Sequence, residues 1–369
     1  MKLSLDRDAL ARSLARVQGV VERRGTIPIL ANVLMRAEGG VLSLATTDMD
    51  LEIAESLPAQ VSAEGATTVP AFMLHEIVRK LPTGARVDIA LDDGANIVTI
   101  QAGRSRFKLS CLPVEDFPEL GAGEMPTQFT LPAAQLRVLI DRTKFAMSTE
   151  ETRYYLNGIY VHEHEGRLRA VATDGHRLAK FEAPLPEGAA GMPSVIVPRK
   201  AVGEVRKLIE ETAGEVEVSL SASKVRFAFD HTVLTSKLID GTFPDYERVI
   251  PEGNDKVVTL DPRLFSAAID RVSTISEGKT RAVKLILDGQ TVTISASSPE
   301  AGSATEEVEL GEAAPAQMEI GFNAKYLLDI TTRVEGEKIR MDFGDPSAPT
   351  LLRDADDEAA LYVLMPLRV

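Results

Sequence analysis

Short stretches of alternating apolar and polar residues recur along the chain, among them Val87-Asp88-Ile89-Ala90-Leu91, Arg106-Phe107-Lys108-Leu109-Ser110, Val216-Glu217-Val218-Ser219-Leu220 and Val292-Thr293-Ile294-Ser295. A period of two sends successive side chains to opposite faces, so these segments predict half-buried antiparallel strands separated by Gly, Asp and Pro turns. Six windows instead combine a strand end with apolar residues at helical spacing: 5–17, 70–81, 132–144, 198–209, 262–271 and 323–333. Asp6 is placed to cap the first helix, and Pro70, Pro132, Pro198 and Pro262 stand where a first-turn proline is tolerated. The pattern predicts an α+β chain in which strands outnumber helices.

The pattern is also repeated. Ser4-Leu5-Asp6-Arg7-Asp8-Ala9-Leu10 returns 126 residues later as Thr130-Leu131-Pro132-Ala133-Ala134-Gln135-Leu136, and after a further 129 as Thr259-Leu260-Asp261-Pro262-Arg263-Leu264-Phe265. A second block follows each of these in order, beginning at Val69-Pro70, Val197-Pro198 and Gly321-Phe322, while Thr47-Asp48 returns as Thr173-Asp174 and Phe117-Pro118 as Phe243-Pro244. So long a period is a repeated domain and not a solenoid unit. A third of 369 residues is enough for a domain with its own core. Polar linkers at 121–126 and 251–255 set the domains at 1–124, 125–252 and 253–369, each with two helices.

No N-terminal stretch resembles a signal peptide and no apolar run could span a membrane, which points to the cytoplasm and away from membrane partners. The single cysteine, Cys111, excludes an intrachain disulfide and any multi-cysteine metal site. A formal net charge of −14 argues against nucleic acid if spread evenly. It is not even: the six helical windows together carry +9, so the remainder carries −23. Arg199 with Arg206, and Lys200 with Lys207, fall two turns apart on one helix face. Helices sharing one surface would make a basic track that touches phosphates without reading bases.

Catalytic and metal motifs are sparse. Asp174 and His176 could serve as an acid and base pair, but no nucleophile elbow, Walker loop or dinucleotide fingerprint accompanies them. His162-Glu163-His164 offers half of a zinc site with no evident third ligand, and with Glu165-Gly166 following it reads as a hairpin tip. The acidic clusters at 48–50 and 354–358 lack the glycine and terminal glutamate of a calcium loop. No cofactor and no metal is expected.

Taken in order, Thr26-Ile27-Pro28-Ile29-Leu30, Gly103-Arg104-Ser105-Arg106-Phe107, Arg153-Tyr154-Tyr155-Leu156-Asn157-Gly158, Ala172-Thr173-Asp174-Gly175-His176-Arg177-Leu178, Val197-Pro198-Arg199-Lys200, Thr235-Ser236-Lys237-Leu238, Phe243-Pro244-Asp245-Tyr246 and Met365-Pro366-Leu367-Arg368-Val369 resemble the bacterial β sliding clamp, the β subunit of DNA polymerase III. The resemblance spans the chain. It implies three clamp domains per chain and a head-to-tail homodimer, a closed ring whose helices line a central hole and whose antiparallel sheets lie outside. Such a ring encircles double-stranded DNA without regard to sequence, confers processivity on the polymerase III catalytic subunit, and has no catalysis of its own. The further partners implied are a clamp loader and other DNA polymerases and repair proteins that bind through short peptide motifs.

The same resemblance assigns residues. Arg24, Arg137, Arg199, Lys200 and Lys207 are the candidates for phosphate contact. An apolar pocket is implied at Leu156, Thr173, Gly175, His176, Arg177, Leu178, Pro244, Val249, Val363 and Met365, with an adjoining groove at Tyr154, Tyr155, Asn323, Tyr326, Pro366, Leu367 and Arg368. Leu367 and Val369 stand where the family often has methionine and leucine. The first repeat carries Thr47-Asp48-Met49-Asp50-Leu51 at the matching loop and the third Ala296-Ser297-Ser298-Pro299, so the pocket is expected once per chain. Arg104, Arg106 and Phe107 match the dimer strand, and Thr274 and Ile275 fall on its partner surface. The alternative is a peptide-binding scaffold of triplicated domains without DNA, for which a basic excess on the helices has no use.

Overall fold

The computed structural model describes residues 1–368 apart from 23, 24, 93, 95, 122 and 277–280. The first repeat runs β1 (Lys2–Asp6), α1 (Arg7–Val17), β2 (Asn32–Glu38), β3 (Val41–Thr47), β4 (Leu51–Pro58), β5 (Gln60–Ala63), β6 (Gly65–Pro70), α2 (Ala71–Lys80), β7 (Arg86–Asp92), β8 (Ile97–Ala102) and β9 (Ser105–Ser110). The second is β10 (Thr127–Pro132), α3 (Ala133–Thr143), β11 (Gly158–His164), β12 (Arg167–Thr173), β13 (Arg177–Pro184), β14 (Val195–Pro198), α4 (Arg199–Leu208), β15 (Glu215–Leu220), β16 (Lys224–Phe229) and β17 (Thr232–Lys237). The third is β18 (Lys256–Leu260), α5 (Pro262–Ser273), β19 (Ala282–Asp288), β20 (Thr291–Ser298), β21 (Gly302–Glu309), β22 (Met318–Asn323), α6 (Ala324–Thr331), β23 (Ile339–Phe343), β24 (Thr350–Asp354) and β25 (Ala360–Leu364).

The helix starts follow from side chains that satisfy free backbone N–H groups. Asp6 accepts from Ala9, Asp261 from Arg263 and Leu264, and Asn323 from Lys325 and Tyr326. Pro262 is a first-turn proline as expected. Pro70, Pro132 and Pro198 are not: each ends the preceding strand, one residue before its helix. Proline's fixed φ suits that extended end as well as a first turn. In α1 and α5 the buried positions, Leu10, Leu14 and Val17 and Phe265, Ala268, Ile269 and Val272, form one stripe each, and these helices pack on α2 and α6 respectively.

Two compact units make up the chain: residues 1–137, 186–193 and 200–238, and residues 138–185, 194–199 and 239–369. The first holds a five-stranded sheet, β5-β1-β7-β8-β9, and an eight-stranded one, β10-β15-β16-β17-β4-β3-β2-β6. The second holds an eight-stranded sheet, β14-β11-β12-β13-β25-β24-β23-β18, and a four-stranded one, β21-β20-β19-β22. Each eight-stranded sheet therefore joins strands of two successive repeats. The joints are antiparallel ladders, β4 with β17 and β13 with β25.

Candidate functional site

The loop between β12 and β13 is built by its own side chains. Thr173 Oγ1 donates to the Arg177 carbonyl at 2.7 Å and accepts from Gly175 N–H at 3.1 Å, while Asp174 Oδ1 accepts from the N–H groups of His176 and Arg177 at 3.0 and 3.1 Å. These are the short-range bonds that threonine and aspartate make in turns. Gly175 has φ of +88°, and a Cβ there would stand 2.5 Å from Arg153 Nη1, so glycine is favoured and a larger residue would have to displace the arginine tip. Asp174 is thus a scaffold residue and no general acid.

Arg177 leaves this turn and is only 7% exposed. Its Nε donates to Asp174 Oδ2 at 3.1 Å, Nη1 to Asp329 Oδ2 at 2.6 Å and Nη2 to the Phe145 carbonyl at 2.6 Å. The guanidinium also lies 4.2 Å from the Tyr326 ring and 5.2 Å from that of Phe145. The exposed His176 ring stacks on the same tyrosine at 6.2 Å. Asn323 caps the helix that carries Tyr326.

Beside the turn, Leu178 stands opposite Val363 in the β13–β25 ladder, and Leu156, Leu178, Val363, Phe243 and Tyr246 share one apolar cluster with Tyr155 packed against it. Past β25, Met365 N–H still donates to the His176 carbonyl at 3.0 Å, and Leu367 N–H crosses to the Gly321 carbonyl of β22 at 2.8 Å. Met365 and Tyr154 nonetheless remain 40% and 53% exposed, and Tyr154 meets Tyr155 edge-on. Pro244 and Val249 lie exposed on the segment anchored by buried Phe243 and Tyr246, and Pro366 and Arg368 flank Leu367. Residues from five separated stretches of sequence thereby meet around a shallow apolar surface with a few orienting polar groups, a composition suited to an extended peptide.

The wall behind Tyr246 is polar. Its hydroxyl accepts from Arg169 Nη1 and bonds His162 Nε2, each at 3.1 Å, and Arg169 Nη1 also reaches Glu247 at 2.6 Å. His162 Nδ1 bonds the Glu163 carbonyl, and its ring stacks on Tyr160 at 4.6 Å. Burial pushes the His162 imidazole below its usual range, with Arg169 adding to the shift. Both ring nitrogens are hydrogen-bonded within the protein, and Glu165 turns the hairpin with φ of +49°.

The phosphate candidates are differently placed. Arg24 lies outside the described residues. Arg137 Nη1 donates to the carbonyls of Ile209 and Thr212 at 2.6 and 2.8 Å, capping the end of α4. Lys200 pairs with Asp48, and Lys207 with Glu204 at 2.7 Å. Arg199 is exposed and, among the described residues, its side chain makes long bonds to the carbonyls of Met147 and Ser148. For the dimer candidates, Arg106 and Phe107 lie on β9, an edge strand in which five of six residues are exposed, with Arg104 exposed in the turn before it. Thr274 caps α5, with Ile275 half-buried behind it.

Three sequence profiles tile this chain: the N-terminal, central and C-terminal domains of the DNA polymerase III beta subunit match residues 1–121, 130–245 and 247–368. The chain belongs to that family, the beta sliding clamps. A beta sliding clamp of Caulobacter vibrioides is 52% identical, with all of both chains covered. Among solved structures, the C. crescentus clamp, with polyethylene glycol bound, superposes with a TM-score of 0.96 at 52% identity, and the Bartonella birtlesii clamp, bound to griselimycin, with 0.96 at 47%, each covering both chains fully. Sliding clamps are processivity factors and not catalysts. Two three-domain chains close into a ring that encircles duplex DNA and keeps the replicative polymerase on its template, and a topological link of this kind lets phosphate contacts stay few and weak.

Asp329 and Phe145, which hold Arg177, were missed by sequence reasoning, while Phe243 and Tyr246 were singled out as part of a motif but given no role in the site. Asp329 had a signal: it follows Tyr326 by three residues on a helix, which puts both on one face.

Proposed function

We propose that this clamp recruits its polymerase, and by the same route its loader and repair proteins, through one peptide pocket per chain at the joint of the second and third repeats. The observation carrying this is the convergence of the 173–178 turn, Tyr326 and Met365 around exposed apolar surface. The matching joint of the first and second repeats is built alike but differently filled. There Thr47 and Asp48 make the same turn, yet Glu52 faces Thr235 where Leu178 faces Val363, and Lys237 pairs with Asp50 where Met365 bonds His176. The Glu52 carboxylate accepts from Leu120 N–H, and its burial raises its pKa. A polar, ion-paired joint of this kind does not invite an apolar peptide. Fluorescence anisotropy with a labelled glutamine- and leucine-containing peptide tests the reading; one site per chain is expected, and undiminished binding to Met365→Ala would place the site elsewhere.

For ring closure, we propose that β9 pairs with β21 of a second chain. In the hairpin order of the repeats β9 corresponds to β17 and β21 to β4 and β13, the strands that pair at the internal joints, and both are sheet edges here. Arg104 and Arg106 on one edge complement Glu307 and Glu309 on the other, while Glu306 already pairs with Arg271 of its own chain. Carrying the internal register over sets Lys108 opposite Ser303 of the partner subunit. The repeats bounded at 124 and 252 would then present their helices to DNA, with Arg24, Arg199, Lys200 and Lys207 near phosphates and Arg137 chiefly a helix cap. A cytoplasmic location fits a bacterial replication factor.

A further inference from the structure

Tyr326 and Asp329 stand one turn apart on α6, and both address Arg177 of the preceding repeat, the ring against a face of the guanidinium and the carboxylate against its edge. Asp174 holds the Nε side and the Phe145 carbonyl takes Nη2, so Asp329 supplies the third constraint, at Nη1. A planar fork gripped at three donors cannot rotate about its stem, and a fork that cannot rotate keeps its flat face on the tyrosine. The Phe145 ring also lies 5.2 Å from the guanidinium carbon.

We propose that Asp329 is a positioning residue for partner recognition: it presses Arg177 against Tyr326, so that the 173–178 turn and the aromatic side of the groove meet an incoming peptide already in their bound arrangement. The inference rests on the pocket assigned above. Prior ordering removes entropy that binding would otherwise cost, so its loss should raise the rate of peptide release more than it slows capture. Asp329 is suited to such a test because Arg177 keeps Asp174 as a counter-ion when Asp329 is neutralised, and no buried charge is left alone.

The experiment compares the full-length protein with Asp329→Asn, Asp329→Glu and Met365→Ala, using a fluorescein-labelled extended peptide that carries a glutamine and two leucines. Stopped-flow dissociation, equilibrium anisotropy and thermal unfolding are read on each. Asp329→Asn should weaken binding by about tenfold, the order expected for one lost bond to a charged group, mostly through faster release and at an unchanged unfolding temperature. Asp329→Glu should restore most of it. Wild-type release by Asp329→Asn, with Met365→Ala weakened, would overturn the proposal and leave the pocket standing. A loss that Asp329→Glu shares and that tracks a fall in unfolding temperature would also overturn it, by reducing Asp329 to a structural role. Full binding by Met365→Ala would instead remove the pocket on which the proposal rests.

Discussion

Leu178 faces Val363 across the β13–β25 ladder, a contact between the second and third repeats that is 2% exposed on each side. Burying two such side chains is worth roughly 2 kcal/mol apiece, so the pocket floor and the joint between repeats share one source of stability. Leu178→Ala is expected to cost about 2 to 5 kcal/mol in urea unfolding and to weaken the peptide. Leu178→Glu, which copies Glu52 without its Leu120 partner, should abolish peptide binding. Retained binding by the glutamate variant would sink the assignment of this floor.

Met365 is expected to act as an adaptable anchor. Met365→Ala should cost about 1 to 3 kcal/mol of peptide affinity with little effect on unfolding. Removing 365–369 should cost more affinity, and also a small amount of stability, because the Met365 and Leu367 N–H bonds to His176 and Gly321 go with it. An anisotropy titration in which the truncated chain binds normally would contradict both.

Ring closure is checked by sedimentation. Phe107→Ala combined with Ile275→Ala should yield monomers at micromolar concentration. In a Cys111→Ser background, Lys108→Cys with Ser303→Cys should cross-link chains under mild oxidation. An unchanged dimer would reject the apolar contact, and absence of a cross-link would reject the register.

Among the described phosphate candidates, Arg199→Ala should lower the salt dependence of DNA binding by about one counterion. Lys200→Ala and Lys207→Ala should change it less, since Asp48 and Glu204 already offset their charges. Filter binding across ionic strengths on unrelated sequences decides it, and a sequence-selective loss would count against backbone contact.

The His162 network gives a pH dependence. Its folded pKa lies below the ordinary value near 6.5, so the unfolded chain binds the proton more readily. The stability it contributes is present above about pH 6.5 and falls as pH drops toward the folded pKa. The imidazolium would then face Arg169 and His164, offset in part by the Glu163 carbonyl and by Glu247. Calorimetry from about pH 7.5 to 5.5 should show a steeper fall for the native chain than for His162→Gln; parallel profiles would dismiss this network as the cause.

The repeats and the strand–helix order could be read from the chain because period two, helical spacing and capping residues are local signals. Pro70, Pro132 and Pro198 misled by one residue because a fixed φ serves a strand end equally well. Arg137 is a phosphate candidate by its charge, which is visible in a sequence, whereas the Ile209 and Thr212 carbonyls it also caps, some seventy residues away, are not. Asp329, 152 residues from Arg177, escaped for the same reason. The hidden likeness of the two joints is harder still. Met49 adopts the left-handed φ of +78° that Gly175 also uses, so two loops of different composition share one turn.

The β13–β25 ladder has a consequence for how the protein is made. β13 is complete once Pro184 has been translated, yet its neighbour Ala360–Leu364 emerges from the ribosome only after almost the whole third repeat. Throughout that interval the growing polypeptide carries an open sheet edge, and the Leu178 side of the pocket has no lid. If the proposed pocket recruits the polymerase, that recruitment would have to await completion of the third repeat. On that proposal, a chain ending before Met365 would compete poorly for replication partners.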